Sequence, residues 1–259
     1  MATCFSTFLT GWAFGGKAVD GMWYGGAIMI ILLAHEMGHY LMCRKYHVNA
    51  TLPYFIPFPL TPFGTLGAVI RMQAMLPSRK ALFDVAVAGP LAGLFFTIPA
   101  IFWGAKLSTF EPFTGETGGV IYLAEPFFFS KIVELSIGSP LEGQNMAIHP
   151  LAYAGWAGLF VTALNLLPIG QLDGGHVIYA LFGRQHGVVA TIALICFALI
   201  TIFVFHGWIL MLALLIFFGR KHPPTLDERP IDLKRKIIGF MMMAIFLLSF
   251  APEPIKFLD

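Results

Sequence analysis

Three polar side chains interrupt the apolar run at residues 30–46, and their spacing is the first chemical signal in the sequence. They are His35, Glu36 and His39, in the pattern HExxH. In a helix, a spacing of four residues places the two histidines one turn apart on one face, with the glutamate beside them. Two imidazoles so placed can bind one Zn²⁺ at about 2.0–2.1 Å, and the carboxylate can accept a proton from a metal-bound water. The run therefore predicts a metal site with its own general base.

The composition is that of a membrane protein. Hydrophobic residues make up 58% of the 259 residues and charged residues only 12%, with a mean hydropathy of +0.78, whereas soluble domains carry roughly 25% charged residues. The net charge of +2 is too small to indicate a nucleic-acid partner. The three cysteines are scattered and predict neither a disulfide framework nor a CxxC metal site. We expect an integral membrane protein surrounded by the lipid bilayer.

The apolar runs predict the fold class, an all-α polytopic membrane protein with about six transmembrane helices. A helix over residues 22–42 would be about 32 Å long, enough to cross a bilayer. The other predicted spans are residues 82–105, 151–167, 188–205, 208–218 and 237–251, and residues 1–16 predict a short or incomplete first helix. The loops are too short for an appended domain. We therefore expect a single intramembrane domain over residues 1–259, with its core at 22–183 and C-terminal helices at 187–252.

The segment after the HExxH run cannot be a helix, because five prolines interrupt residues 47–78. Non-helical backbone this apolar must be buried in protein or line a cavity at membrane depth. We expect a membrane-associated β-hairpin or loop here, the alternative being a connecting loop with no role. A glycine-bounded turn and the start of a strand are predicted at its centre, formed by Gly64, Thr65, Leu66, Gly67, Ala68 and Val69.

A second costly polar group lies where a predicted helix breaks. The span at 151–167 runs into Pro168 and a glycine-rich stretch that ends in LDGGH. Proline and glycine break the helix, which places Asp173 at a turn inside the membrane. A carboxylate there needs a partner, and a metal ion is the natural one. A hydrogen-bonded structural aspartate at a helix kink is the alternative.

Basic residues are distributed unevenly among the predicted loops. Placing residues 44–80, 184 and 220–236 on one side gathers most lysines and arginines there, and the positive-inside rule makes that side cytoplasmic. Glu36 would lie about 12 Å along a helix axis from Arg44, so the predicted site is submerged toward the cytoplasmic side. Residues 106–149 form an irregular acidic loop on the opposite side, with Glu111, Glu116, Glu125, Glu134 and Glu142.

Three motifs together resemble the site-2 protease family of intramembrane zinc metalloproteases. They are HExxH in one predicted span, AGPLAG at residues 88–93 in the next, and NxxPxxxLDGG at residues 165–175 in a third. The stretches PYFIPFPLTPFGTLGAVIRM and HPPTLDERPIDLKRK are similar to the branch without a PDZ insertion, which includes plastid and bacterial relatives. The resemblance covers nearly the whole chain from about residue 20 onward.

The resemblance implies a site and an activity. His35, His39 and Asp173 would bind one Zn²⁺ per chain, Glu36 would be the general base, and Asn165 would assist the substrate or the transition state. The implied activity is hydrolysis of peptide bonds within or near transmembrane segments of membrane-protein substrates, in regulated intramembrane proteolysis. The expected location is a bacterial or archaeal cell membrane, with an organelle membrane as the alternative.

A transmembrane helix hides its peptide bonds in its own hydrogen bonds, so such a substrate must unwind before cleavage. The edge of a strand from the 64–72 region would then bind the extended form. Two other classes stay open. A di-iron membrane oxygenase needs more ligands than this motif set offers, and a metal count of one would reject it. A non-catalytic or transporter-like member would keep the fold, although the intact motif residues favour an enzyme.

Overall fold

The computed structural model describes residues 1–73, 75–112, 121–139, 143–218 and 224–257. This part of the chain contains nine α-helices: α1 (Ala2–Gly15), α2 (Ala18–Lys45), α3 (Arg79–Leu107), α4 (Phe127–Ile137), α5 (Pro150–Asn165), α6 (Asp173–Phe182), α7 (His186–Phe203), α8 (Ile209–Phe218) and α9 (Leu233–Ser249). It also contains six short strands: β1 (Tyr54–Pro57), β2 (Thr65–Val69), β3 (Thr109–Pro112), β4 (Ile121–Leu123), β5 (Gln144–Ala147) and β6 (Ile255–Phe257). The described part of the protein is mostly helical, as its apolar runs predict.

Helix α2 is the centre of the bundle and packs against α1, α3 and α5. Tyr24, Ile28 and Leu32 of α2 belong to the largest apolar core. The crossing with α3 is close because small residues meet there: a Cβ at Gly38 would overlap the carbonyl oxygen of Ala88. The face of α2 that carries the HExxH motif therefore lies directly against α3.

The segment after α2 folds into a hairpin, as the sequence predicts. Strands β1 and β2 pair antiparallel, with Tyr54 opposite Val69 and Phe55 opposite Ala68. The pairing continues toward the base of the hairpin in an isolated bridge between Ala50 and Met72. Among the described residues β2 pairs with β1 alone, so its other edge has no strand partner there.

The turn of this hairpin is anchored deep in the bundle. The hairpin begins after the C-terminal end of α2, and its turn binds Tyr24 near the other end of that helix. Tyr24 is about 22 Å along α2 from His39, so the hairpin runs beside most of the length of α2. Hydroxyl groups of three helices donate hydrogen bonds to the turn: Tyr24 (α2) to the Phe63 carbonyl oxygen at 3.0 Å, Tyr153 (α5) to that of Pro62 at 2.7 Å, and Ser6 (α1) to that of Gly64 at 2.6 Å.

The described parts of the region between α3 and α5 contain a helix and three strands, so the prediction of an irregular loop was wrong. Helix α4 packs against α3, where Ser136 Oγ donates to the Phe102 carbonyl oxygen at 2.6 Å. Strand β3 pairs with β5, and β4 pairs with β6. These strands have three or four residues each, too few for a clear alternation in the sequence. Two acids assigned to that loop, Glu116 and Glu142, lie outside the described residues.

Three helical runs in the described ranges are long and apolar enough to cross a membrane: Ala18–Lys45, Arg79–Leu107 and Asp173–Phe203. The first two contain spans that the sequence predicts. The third joins α6 to α7 through the short 3₁₀ turn Gly183–Gln185. Since α5, α8 and α9 have 16, 10 and 17 residues, the count of about six spans stays a prediction, as does the single domain over residues 1–259.

The ends of several helices meet at one end of the bundle. Asp84, near the start of α3, accepts hydrogen bonds at 2.7 Å from both Nε and Nη2 of Arg235 in α9, and one at 2.5 Å from the Tyr46 hydroxyl. Arg79 donates to the Ala180 carbonyl oxygen at 2.7 Å, which adds the end of α6. Arg44 and Lys45, in the last turn of α2, lie at this same end. Arg220 and Lys221 of the predicted basic side lie outside the described residues.

Candidate metal centre

The HExxH motif lies in the interior of α2, on the helix that its spacing predicts. His35, Glu36 and His39 are 4%, 7% and 5% exposed. The two imidazoles lie one turn apart with their Nε2 atoms at 3.1 Å. Three polar groups are thus buried together in an apolar helix, where they need partners to be stable.

Helix α3 fixes the orientation of His39. Its Nδ1 atom lies 2.8 Å from the Val85 carbonyl oxygen. That oxygen can only accept, so Nδ1 carries the proton and Nε2 carries a lone pair. Gly89, one turn along α3, lies against the ring, since a Cβ there would overlap Nε2 of His39. Gly93 is placed similarly, with its Cβ position 3.3 Å from Nδ1 of His35. The AGPLAG motif therefore makes room for both histidines.

Asp173 is the first residue of α6, whereas the sequence predicts a turn at this position. The helix starts here because glycine allows its first turn to pack on the end of α5: a Cβ at Gly174 would overlap the Leu166 carbonyl oxygen. A helix N-terminus stabilises a carboxylate through its free N–H groups and its dipole. The break that the sequence predicts is real, but it is followed at once by a new helix that holds the acid.

The three side chains converge on one point. Oδ2 of Asp173 lies 3.3 Å from Nε2 of His35 and 3.3 Å from Nε2 of His39. Three ligands of a tetrahedral Zn²⁺ at about 2.0–2.1 Å are separated by about 3.3–3.4 Å. Two imidazole nitrogens and a carboxylate oxygen are also donors that zinc accepts. The set fits a zinc ion, and within the described residues no other cluster of His, Cys, Asp and Glu brings three ligand atoms together in this way.

Asn165, the last residue of α5, faces the same space. Its Nδ2 atom lies 3.2 Å from Nε2 of His35, so its amide can donate to an oxygen atom held beside the ligands. His176, one turn beyond Asp173 on α6, interacts electrostatically with that carboxylate. It is the other titratable side chain to consider as a base.

Glu36 faces the hairpin. The backbone N–H of Ile70 lies near enough to the Glu36 carboxylate to interact with it, so this N–H faces the site and points away from β1. Along an extended strand the backbone N–H groups of every second residue point to the same edge. The N–H of Ala68 therefore points to the same edge of β2 as the N–H of Ile70. The free edge of β2 therefore lies beside the glutamate.

The residues predicted to bind substrate divide into two groups. Gly64, Thr65 and Gly67 are buried and shape the hairpin, and Gly67 N–H donates to Thr65 Oγ1 at 2.9 Å. Leu66 and Val69 are 60% and 46% exposed, and Ala68 is half-buried. Only the exposed group has side-chain surface that a ligand could contact.

Sequence reasoning missed the groups that orient the site. Val85, Gly89 and Ile70 carry no reactive atom, and their roles depend on which helix face or strand edge meets α2. The small-residue run was the available signal, since it indicates close helix contact, but it does not say which side chain is contacted.

Comparison with known proteins decides the family. A model of the group described as Peptidase family M50 matches residues 25–206, which include His35, Glu36, His39 and Asp173. The chain belongs to peptidase family M50. This is the site-2 protease family that the motifs resemble, so the identification from sequence is confirmed.

The relatives of this M50 chain include plant proteins. It is 30% identical over 248 residues to "Probable zinc metalloprotease EGY2, chloroplastic" of Arabidopsis thaliana, which covers 92% of this chain and 43% of that protein. It is 37% identical over 164 residues to "Probable zinc metalloprotease EGY1, chloroplastic" of Oryza sativa subsp. japonica, covering 61% and 28%. The chain thus spans less than half the length of these relatives.

Proposed function

We propose that this chain is a zinc metalloprotease that cleaves peptide bonds within or near transmembrane segments of membrane proteins. The observation that carries the proposal is the convergence of His35, His39 and Asp173 on one point, next to Glu36, inside apolar helices. Ionisable groups at membrane depth are costly and mark functional sites. The relatives' names, which describe zinc metalloproteases, support the same activity.

One Zn²⁺ per chain would be held by Nε2 of His35, Nε2 of His39 and Oδ2 of Asp173. When bound, the ion supplies a Lewis acid that polarises the scissile carbonyl and lowers the pKa of water. The Val85 carbonyl oxygen keeps His39 in the tautomer that this role requires.

The chain's own residues handle the proton and the charge. Glu36 accepts the proton that water loses as its oxygen bonds to the carbonyl carbon, and it delivers that proton to the amide nitrogen as the C–N bond breaks. Asn165 donates from its amide to the carbonyl oxygen, where negative charge develops. Both groups lie beside the ligand cluster, as the site geometry requires.

The free edge of β2 would hold the substrate in an extended form. Backbone hydrogen bonds along this edge offset those that the substrate loses when its helix unwinds. Leu66, Ala68 and Val69 supply side-chain contacts. The bound peptide then passes beside Glu36, because Ile70 N–H on the same edge contacts that carboxylate.

We propose a multi-pass membrane location with the site nearer the end of the bundle that carries Arg44 and Arg79. The positive-inside rule supports the cytoplasmic side, or its organelle equivalent, for this end. The names of the relatives place those proteins in the chloroplast, which supports an organelle membrane rather than a bacterial or archaeal one. The substrate would be a single-pass or other transmembrane protein.

Cleavage of a model transmembrane peptide by the purified full chain in lipid nanodiscs tests the proposal. We expect cleavage that a chelator stops and added zinc restores. Glu36→Gln keeps the size of the side chain and removes the base, so turnover should fall by at least about 100-fold, with unchanged zinc content and thermal stability. Glu111→Gln, an exposed acid of β3, is the matched control. Zinc binding without any cleavage by the wild-type chain would favour a non-catalytic member of the family, and retained turnover in Glu36→Gln would make His176 the candidate base.

A further inference from the structure

A cavity of about 680 Å³ lies at the end of the bundle opposite Arg44 and Arg79. Its volume is in the range of about 300–1,000 Å³ that is typical of ligand sites. Residues of the two small sheets, β3–β5 and β4–β6, line it together with α4, the end of α1 and the turn of the hairpin. None of the proposed catalytic residues lines this cavity.

The hairpin connects this cavity to the proposed substrate edge. Pro62, in the turn, lines the cavity, and so does Tyr153, whose hydroxyl donates to the Pro62 carbonyl oxygen. From Ile70, beside Glu36, back to Thr65 is about 17 Å of extended strand. A peptide that lies along β2 with its scissile bond at Glu36 would therefore pass the turn and reach the cavity.

The cavity offers aromatic surface and two carboxylates, Glu125 and Glu134, of which Glu134 is already paired with Lys131. The accessible ring is that of Phe14, which is 44% exposed and stacks on the buried ring of Tyr153 with centroids 4.4 Å apart. Phe110 and Tyr122, both half-buried, add further aromatic surface. Within the described part of the chain Glu125 has no hydrogen-bond or ion-pair partner. Glu125 is an exposed residue of the lining, and partial desolvation of its carboxylate raises its pKa above the ordinary value. A cation beside it would offset that cost.

We propose that the cavity binds the extramembrane flank of the substrate, as an extended peptide that places a Lys or Arg side chain at Glu125. This inference rests on the proposed function, because its ligand is the continuation of the segment to be cleaved. A cation between an unpaired carboxylate and aromatic rings combines an ion pair with cation–π attraction. In the described part of the chain each of the two small sheets has only two strands, so their outer edges can hydrogen-bond to the extended backbone. The cavity would therefore select substrates by a basic residue outside the membrane.

Binding of the flank can be measured without cleavage. The probe is a fluorescently labelled peptide of about eight residues, roughly 26 Å when extended, in which Thr and Val alternate around one central Lys. A second peptide carries Glu in place of that Lys. Fluorescence anisotropy with the chelator-treated full chain in nanodiscs gives a Kd for each. We expect the Lys peptide to bind at least about tenfold more tightly.

Three variants locate the binding. Glu125→Gln should weaken the Lys peptide about fivefold, whereas Glu111→Gln, which removes an acid of β3 outside the cavity lining, should change its Kd less than about twofold. Ser139→Trp, at an exposed position of the lining, should fill the space and abolish binding.

Equal affinities for the two peptides would overturn the inference, as would equal effects of Glu125→Gln and Glu111→Gln. Binding that persists in Ser139→Trp would place the peptide elsewhere and would also overturn it. Failure of the proposed function has a separate signature. Absence of cleavage after zinc is restored contradicts the protease assignment, whereas absence of Lys-selective binding contradicts the assignment of the cavity.

Discussion

The imidazole of His39 lies against Gly89 of α3, at a position where a Cβ would overlap its Nε2 atom. From the same helix, the Val85 carbonyl oxygen accepts from Nδ1 of the ring at 2.8 Å. One proposed metal ligand is therefore oriented by a helix other than the one that carries it, and the closeness of α2 and α3 is part of the site.

Gly89→Ala should weaken zinc binding. The added methyl group displaces the ring of His39, and loss of orienting contacts typically costs about 10–100-fold in metal affinity. Competition with a chromophoric zinc chelator measures the effect. Gly26→Ala in α2 is the matched control, because a Cβ at Gly26 would meet no atom within 4 Å. Equal zinc affinity in the two variants would contradict this account of the contact.

The proposed ligands could be found from sequence because their signals are local. His35 and His39 are related by the period of a helix, and Asp173 is conspicuous as an acid in an apolar stretch. The convergence of Asp173 with the histidines was an inference from cost and from family resemblance. The distances of 3.1–3.3 Å among their ligand atoms could come only from the packing of α6 on α2 and α3.

Other features could not be predicted because they depend on distant pairings. Strand β4 pairs with β6 across most of the C-terminal half of the chain, and strands this short carry little periodic signal. The hairpin itself was predicted from its glycines and prolines. The depth of its turn in the helix bundle could not be predicted, because it depends on hydrogen bonds from the hydroxyl groups of Ser6, Tyr24 and Tyr153 on three separate helices.

Ala68→Pro should impair cleavage of a stable transmembrane helix more than cleavage of one weakened by Gly or Pro. The substitution removes a free-edge donor of β2 without removing a ladder hydrogen bond to β1, and proline is tolerated on such edges. We expect normal zinc content and roughly tenfold lower turnover of the stable substrate. Paired kinetics on the two peptides measure the difference.

Val69→Pro and Ile70→Pro are the contrasting variants for the same strand. The first disturbs the pairing with Tyr54, and the second removes the N–H that contacts Glu36, so both should also slow cleavage of the weakened substrate. If Ala68→Pro lowered turnover of both substrates equally, β2 would be a connecting segment without a role in binding the substrate.

Arg235→Ala should destabilise the fold. It leaves Asp84 without its bidentate partner at the junction of α3 and α9, and loss of a half-buried pair of this kind costs about 2 kcal/mol, or roughly 5 °C in Tm. Thermal unfolding in detergent measures it. Arg229→Ala is the control, because its ion pair with Asp227 is largely exposed and should contribute less than about 0.5 kcal/mol. Similar Tm values for the two variants would contradict a stabilising role for the ion pair between Asp84 and Arg235.

Zinc content is the measurement that tests the central claim most directly. Elemental analysis of the purified full chain, dialysed against a weak chelator, should give about one zinc per wild-type chain and well under about 0.2 for Asp173→Ala, because two histidines alone hold the ion weakly. Glu111→Gln should keep the wild-type value. A wild-type chain without zinc, or an Asp173→Ala variant with unchanged zinc, would contradict the site formed by His35, His39 and Asp173.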